Sequence, residues 1–289
     1  MKTARNDESS QKLKPVAFNL GLQSMAPHRP WNDREICVQT WAVLRREFPK
    51  VFAAVLMPDH LHVAPPFGDP GEVRAKFARV QGELTRLVGG KIWKTTSPPE
   101  PVQNLKHLTR LIRYLHLNPC RDSLCSDPIE WEWSTHRDYL GAVVDPWVQS
   151  DRILSSLGFV GPNRFRTFHA YVSGDPSVSI RGTPAPIVRS GGYFFGLDEL
   201  EVAAAIALRT SSDAFRFKGK SRALLLRSLS GEFLNSKAEL ARFFGVHRSA
   251  LSFSGTVGKM DSLPESRLAQ AIRVLLSDPR LMREHINPK

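Results

Sequence analysis

Cysteine, long apolar runs and acidic side chains are all scarce in this chain, and each shortage excludes something. Cysteine occurs three times, at Cys37, Cys120 and Cys125. The odd count argues against a disulfide framework, and the spacing fits no zinc knuckle. No stretch approaches the ~18 consecutive apolar residues of a bilayer span, so no membrane-spanning helix is expected. No secretory leader pattern opens the chain, and a reducing cytoplasm is the expected compartment. Carboxylates are outnumbered, with 28 Asp and Glu against 40 Lys and Arg, a net charge of +12. That surplus points to a polyanionic partner, most simply nucleic acid.

The first half alternates strand-like and helix-like stretches. "PVAFNLGL" reads as a strand, and "NDREICVQTWAVLRREF" as a helix capped by Asn32 or Asp33. "VFAAVLM" and "HLHVA", split by the turn-like Pro58-Asp59, read as two adjacent strands. "GDPGEVRAKFARVQGELTRLVGG" is a second helix with Pro70 at its start and Gly89-Gly90 at its stop. A short "KIW" strand and the proline-rich "TTSPPEPVQ" lead to a third helix, "NLKHLTRLIRYLHL", expected to end at Asn118-Pro119. The order predicts an α+β fold, a ferredoxin-like antiparallel sheet with helices on one face.

Residues 1–14 are expected as a mobile polar arm, 15–145 as the mixed domain, and 146–190 as extension and linker. Residues 191–289 carry only short amphipathic helices and are expected as a separate all-α domain.

Two histidines carry the first chemical signal. In a strand, His60 and His62 share one face while Leu61 and Val63 take the other. Two neutral imidazoles side by side suit a divalent metal, and they suit equally the polar edge of a strand. Tyr114 and Asn118 stand one turn apart on the third helix. Brought over the histidines, they would set a nucleophile beside a three-ligand metal site. The alternatives are a core tyrosine with its hydroxyl at the surface and a plain helix C-cap.

"MPDHLHV", then "RYLHLNPCRDSL" roughly fifty residues on, then "EWEWSTHRDYLG" and "PWV", resemble the single-tyrosine HUH transposases over residues 15 to 150. The branch they resemble is associated with repeated extragenic palindromes in bacterial genomes. The resemblance implies a ferredoxin-like fold, with His60, His62 and Asn118 holding Mg2+ or Mn2+ and Tyr114 as nucleophile. It implies cutting of single-stranded DNA beside a hairpin, through a 5′-phosphotyrosine and a free 3′-hydroxyl, by a bacterial nucleoid-associated protein. Departures are visible. "VAFNLGLQSMAPHRP" lacks the aromatic-histidine pair and Arg-Gly-Asn turn of many relatives, Pro65-Pro66 cuts the histidine strand short, and "TTSPPEPVQ" is a poor last strand.

Arg79, Arg86, Lys106, Arg110 and Arg113 read as a phosphate track or as a solvated face. Around "WEWSTHRDY", Trp131, Trp133, His136 and Arg137 could stack bases, or the tryptophans could close a core. Tyr139 is the runner-up nucleophile. "NSKAELARFFGVHRSALSF" resembles a helix-turn-helix over about 236–253, with Ser236 and Glu239 at capping-box spacing and His247, Arg248 and Ser249 toward DNA. A generic helical bundle is the alternative. Two rival functions stand beside nicking and joining: a non-catalytic DNA-binding regulator, and a phosphodiesterase in which water attacks. Monomer and homodimer fit the sequence equally.

Overall fold

The structure, a computed structural model, describes residues 14–178, 195–233, 235–251 and 264–282. The expected N-terminal arm, but for Lys14, lies outside the described residues. The fold is α+β. Strands β1 (Ala17–Gln23), β2 (Ala53–Leu56), β3 (His60–Ala64) and β4 (Glu100–Val102) form one antiparallel sheet in the order β2-β3-β1-β4.

Period-two alternation sets the two faces of this sheet. Leu20 pairs with Val63 and Leu22 with Leu61 across β1 and β3, and all four are buried. Each such side chain contributes about 1.5–3 kcal/mol on burial. The same alternation turns His60 and His62 to the opposite face, as the sequence predicts. Strand β2 is buried along its whole length. Its outer edge bonds the segment 133–135, with Leu56 N–H donating to the Trp133 carbonyl (2.9 Å) and Thr135 N–H to the Ala54 carbonyl (3.0 Å). No unpaired edge remains there.

Helix α1 (Arg34–Glu47) starts where Asp33 accepts from the amides of Glu35 and Ile36. Helix α2 (Pro70–Leu87) has Pro70 in its first turn, and Gly89, at φ +75°, follows its end in a left-handed conformation that glycine adopts without strain. The two helices pack on each other and share one core with the leucine face. Helix α3 (Leu105–Arg121) adds Leu108, Ile112 and Leu115 to the same core and brings Tyr114 to the His62 ring. It also runs through Pro119, one turn beyond the expected stop. Asp122 caps it, with its N–H on the Asn118 carbonyl (3.1 Å), because a proline this near the end costs only one intrahelical bond. "KIW" supplies a single bridge, Ser24 to Trp93, while the poor strand "EPV" becomes β4 at the sheet edge, where proline is tolerated.

The short helix α4 (His136–Tyr139) precedes the expected extension, within which the described residues form α5 (Ser150–Ser156) and α6 (Arg164–Ser173), whose Phe168 and Val172 enter the first core. The expected linker from 179 to 190 lies outside the described residues. Helices α7 (Leu197–Leu208), α8 (Lys220–Glu232), α9 (Lys237–Phe243) and α10 (Pro264–Leu276) make a second, all-α core. That core includes Ile129, Leu140 and Val144 from the first unit. Ion pairs tie the two: Arg34–Glu132 lies beside the Thr210 carbonyl, Arg209 meets Asp138 (3.1 Å), and Arg280 meets Asp127 (2.8 Å). Among the described residues no helix is long and apolar enough to cross a membrane.

Candidate active site

The tight β2–β3 hairpin ends on Asp59, and its carboxylate accepts from His60 Nδ1 at 2.9 Å. With Nδ1 held by the carboxylate, Nε2 is the ring nitrogen left to ligate, the arrangement typical of a ligating histidine. The His62 ring stands 5.5 Å from that of His60, nearly perpendicular. Its Nδ1 is buried and has no hydrogen-bond partner. Burial first, and then the neighbouring His60, push the His62 pKa down to about 4, against a weak opposing pull from the Leu20 carbonyl. His62 is therefore neutral at pH 7. Directly across the sheet lies Gly21, whose missing side chain makes room for the ring.

Helix α3 places Tyr114 opposite. Its ring lies 6.4 Å from the His62 ring, at 83°, and the residue is 45% exposed. Two turns on, the Arg121 guanidinium sits 4.7 Å above the tyrosine ring and donates to the Tyr114 carbonyl (3.2 Å). Asp175 holds both Arg121 (3.4 Å) and Arg113 (3.2 Å). Asn118, one turn beyond Tyr114, is 5% exposed, and its Nδ2 has no partner. No hydrogen bond fixes which end of that amide faces the site.

A cleft of about 420 Å3 opens beside the histidines, lined among others by Asn19, Gln23, Lys94 and Glu100. Among the described residues no group of three His, Cys, Asp and Glu converges on one point. The donor set expected here is two imidazoles and an amide. The desolvated His62 Nδ1 has no partner and neither has the Asn118 Nδ2, which fits a cation with few protein ligands.

The other expected site residues fare unequally. Lys106 and Arg110 are exposed, two turns and one turn before Tyr114 on α3. Arg79 and Arg86 are exposed on α2, with Arg79 paired to Glu47 at 2.9 Å. Arg113 is largely occupied by Asp175 and lies 4.7 Å over the Tyr171 ring. His136 and Arg137 are corrected outright. Both are buried, Arg137 donating to the carbonyls of Ile129 and Glu130 and His136 bonding two other imidazoles, so neither offers a surface to DNA. Trp131 and Trp133 close the core, Trp131 donating to the Leu56 carbonyl at 2.9 Å. Tyr139 is buried, donates to the Phe52 carbonyl (2.9 Å), and burial holds its phenol well above the usual range. It is structural.

In the second core Ser236 and Glu239 form the expected capping box, and Gly245 makes the turn at φ +57°. His247, Arg248 and Ser249 are exposed, with His247 Nδ1 2.7 Å from Ser249 Oγ. They enter a 3-10 turn (Arg248–Leu251), and the rest of the expected second helix lies outside the described residues.

Sequence reading missed Asp59, Gly21 and Arg121. Arg121 carried a usable signal, since it stands seven residues after Tyr114 on one helix. Gly21 had none, because cross-strand register is not visible in a strand by itself.

No family model and no curated protein matches this chain. Among solved structures it is similar to a REP-associated tyrosine transposase bound to a REP hairpin, at 16% identity, over 47% of this chain and 82% of that one, with a TM-score of 0.37.

Proposed function

We propose that this protein is a divalent-metal-dependent enzyme that nicks and rejoins single-stranded DNA through Tyr114. The supporting observation is the meeting of the Tyr114 and His62 rings across α3 and β3. It sets the exposed phenol of Tyr114 against a neutral, half-buried imidazole whose buried Nδ1 has no partner. The motif resemblance supplies the expectation of a hairpin beside the cut.

His60, His62 and Asn118 are the residues that would hold Mg2+ or Mn2+. Such an ion, when bound, draws charge from the non-bridging oxygens of the scissile phosphate. The protein's own contributions follow from its geometry. Asp59 orients His60, Gly21 leaves room for His62, and α3 carries Tyr114 to the pair. Lys106 and Arg110 lie in the i, i+4 row that leads to Tyr114, a line of charge suited to a phosphodiester backbone.

In the reaction the Tyr114 oxygen bonds to phosphorus and its proton passes to solvent. The bond from phosphorus to the 3′-oxygen breaks, leaving a 5′-phosphotyrosine and a 3′-hydroxyl. Attack by a 3′-hydroxyl reverses the step, and the energy of the phosphodiester is retained throughout. Arg121, above the ring, stabilises negative charge that develops on the phenol oxygen or the phosphate.

Labelled single-stranded DNA carrying hairpins from the flanks of the gene, incubated with Mg2+ or Mn2+, should yield a protein-linked label on a denaturing gel. The label should vanish with Tyr114→Phe, with His60→Ala and with EDTA. Free cleaved product without a protein adduct would replace this reading with attack by water. Tight binding without cleavage would leave a DNA-binding regulator.

A further inference from the structure

Phe217 is 73% exposed, yet Phe215, two residues before it, is 0% exposed in the second core. Phe215 therefore anchors the chain, and the next five residues, Arg216-Phe217-Lys218-Gly219-Lys220, emerge entirely into solvent. The protrusion is held in place. Arg222 donates from one guanidinium nitrogen to the Arg216 carbonyl (3.1 Å) and from the other to the Phe244 carbonyl. That clamp sets the loop beside the α9 turn, whose Arg242, Phe243, His247 and Arg248 are exposed. Arg216 keeps only an exposed pairing with Asp213 (3.4 Å), and Lys218 and Lys220 pair with no carboxylate among the described residues.

One large ring in water, flanked by cations, is matched to a particular chemistry. A protein groove or a core would cover the ring but strand the ammonium groups. A nucleic acid offers both a flat π face and negative charge within one nucleotide. In a duplex, base faces are already stacked and out of reach, so the ring selects unpaired bases. A bilayer surface would also accept lysines, but one aromatic ring supplies little insertion, and the adjoining turn carries polar and cationic groups.

We propose that the loop 216–220 is a single-stranded nucleic-acid site, in which Phe217 stacks on an unpaired base while Lys218 and Lys220 meet the flanking phosphates. None of its residues belongs to the candidate active site, so it stands or falls independently of the Tyr114 chemistry.

The test uses the full chain in EDTA, where no cleavage occurs, and fluorescence anisotropy with a mixed-sequence oligonucleotide, single-stranded or as a duplex. Phe217→Ala should weaken single-strand binding about tenfold and leave duplex binding unchanged, while Phe217→Tyr stays near the parent. Replacing Lys218 and Lys220 by Gln together should flatten the log–log salt slope by about 1.4. A 2-aminopurine base in the strand should be quenched by the parent and not by Phe217→Ala. Because all three side chains are exposed, melting curves should match the parent. Equal binding by Phe217→Ala and parent overturns the proposal, as does an equal loss on single strand and duplex. Loss confined to vesicles of anionic phospholipid overturns it too, and assigns the loop to a membrane surface.

Discussion

Gly21 and His62 face each other across β1 and β3, and a methyl group on Gly21 would stand 3.1 Å from the imidazole Cε1 and 3.3 Å from Nδ1. The absence of a side chain in one strand thus sets the position of a ring in the next. Gly21→Ala should displace His62 by a few tenths of an ångström without unfolding the sheet, because alanine costs a strand less than glycine does. On the proposed metal site, the expected outcome is a fall in Mn2+ affinity of about tenfold with a near-parental melting temperature. Titration calorimetry and a thermal melt, done on one preparation, check both halves.

Asp59 acts on the other imidazole. Replacing its carboxylate by an amide in Asp59→Asn weakens the hold on the His60 Nδ1 proton and lets the ring exchange tautomers. Metal affinity should fall by about 10- to 100-fold. Nicking should recover when the Mn2+ concentration is raised to match, which a global folding defect would not allow.

Acid stability should follow a buried chain of imidazoles outside the candidate site. Thr135 Oγ1 lies 3.0 Å from His116 Nε2, His116 Nδ1 lies 3.2 Å from His136 Nδ1, and His136 Nε2 lies 3.0 Å from His169 Nδ1. The chain ends near Ser173 (3.3 Å) and Asp127 (3.9 Å). With all three rings neutral, one run of tautomers satisfies every junction. One added proton can be held only with both ends of the run donating, and a second forces two N–H groups to point at each other. Burial pushes His116 down to about 3 and His136 well below 6.5, the latter helped by His116, His169 and Arg137. The unfolded chain therefore takes up these protons first. Stability is fully present above pH 6.5 and is lost as pH falls from there toward 3. The loss should reach a few kcal/mol by pH 4, read as a falling urea midpoint, and His116→Gln should flatten the pH dependence.

The two units are joined by a charge pair that should be costly to break. Asp138 is buried, accepts from Arg209 at 3.1 Å and from the amide of Trp147 at 2.7 Å, and Arg209 lies 4.8 Å over Trp41. Arg209→Ala would strand the carboxylate and cost about 3–5 kcal/mol. Chemical denaturation measures the loss. Tryptophan emission should shift to the red in the native baseline as the face of Trp41 is uncovered.

Much of this architecture was legible from residue patterns. Alternation predicted that His60 and His62 share a face, the Ser236–Glu239 spacing predicted a cap, and Asn32 or Asp33 and Pro70 predicted helix starts, of which the structure uses Asp33 and Pro70. Those are local properties, decided within one turn or one strand. The misreadings have a common cause in surroundings that are distant along the chain. His136 and Arg137 look like a cationic surface beside aromatics, but the covering groups come from α3, α6 and the 129–130 backbone. Asn118-Pro119 looks like a helix end, yet the contacts of Leu115 and Leu117 with the core carry α3 one turn further.

By itself, the order of residues determined which side chains could do chemistry: an H-x-H pair, a phenol and an amide one turn apart, and a cationic surplus around them. Those follow from the fixed periods of strand and helix. Which of them meet was decided by tertiary structure alone. The approach of Tyr114 to the His62 ring, the vacancy at Gly21, the guanidinium over Tyr114 and the burial of Tyr139 all depend on how β1, β3 and α3 pack. Packing depends on the whole core at once, and no single stretch of sequence contains it.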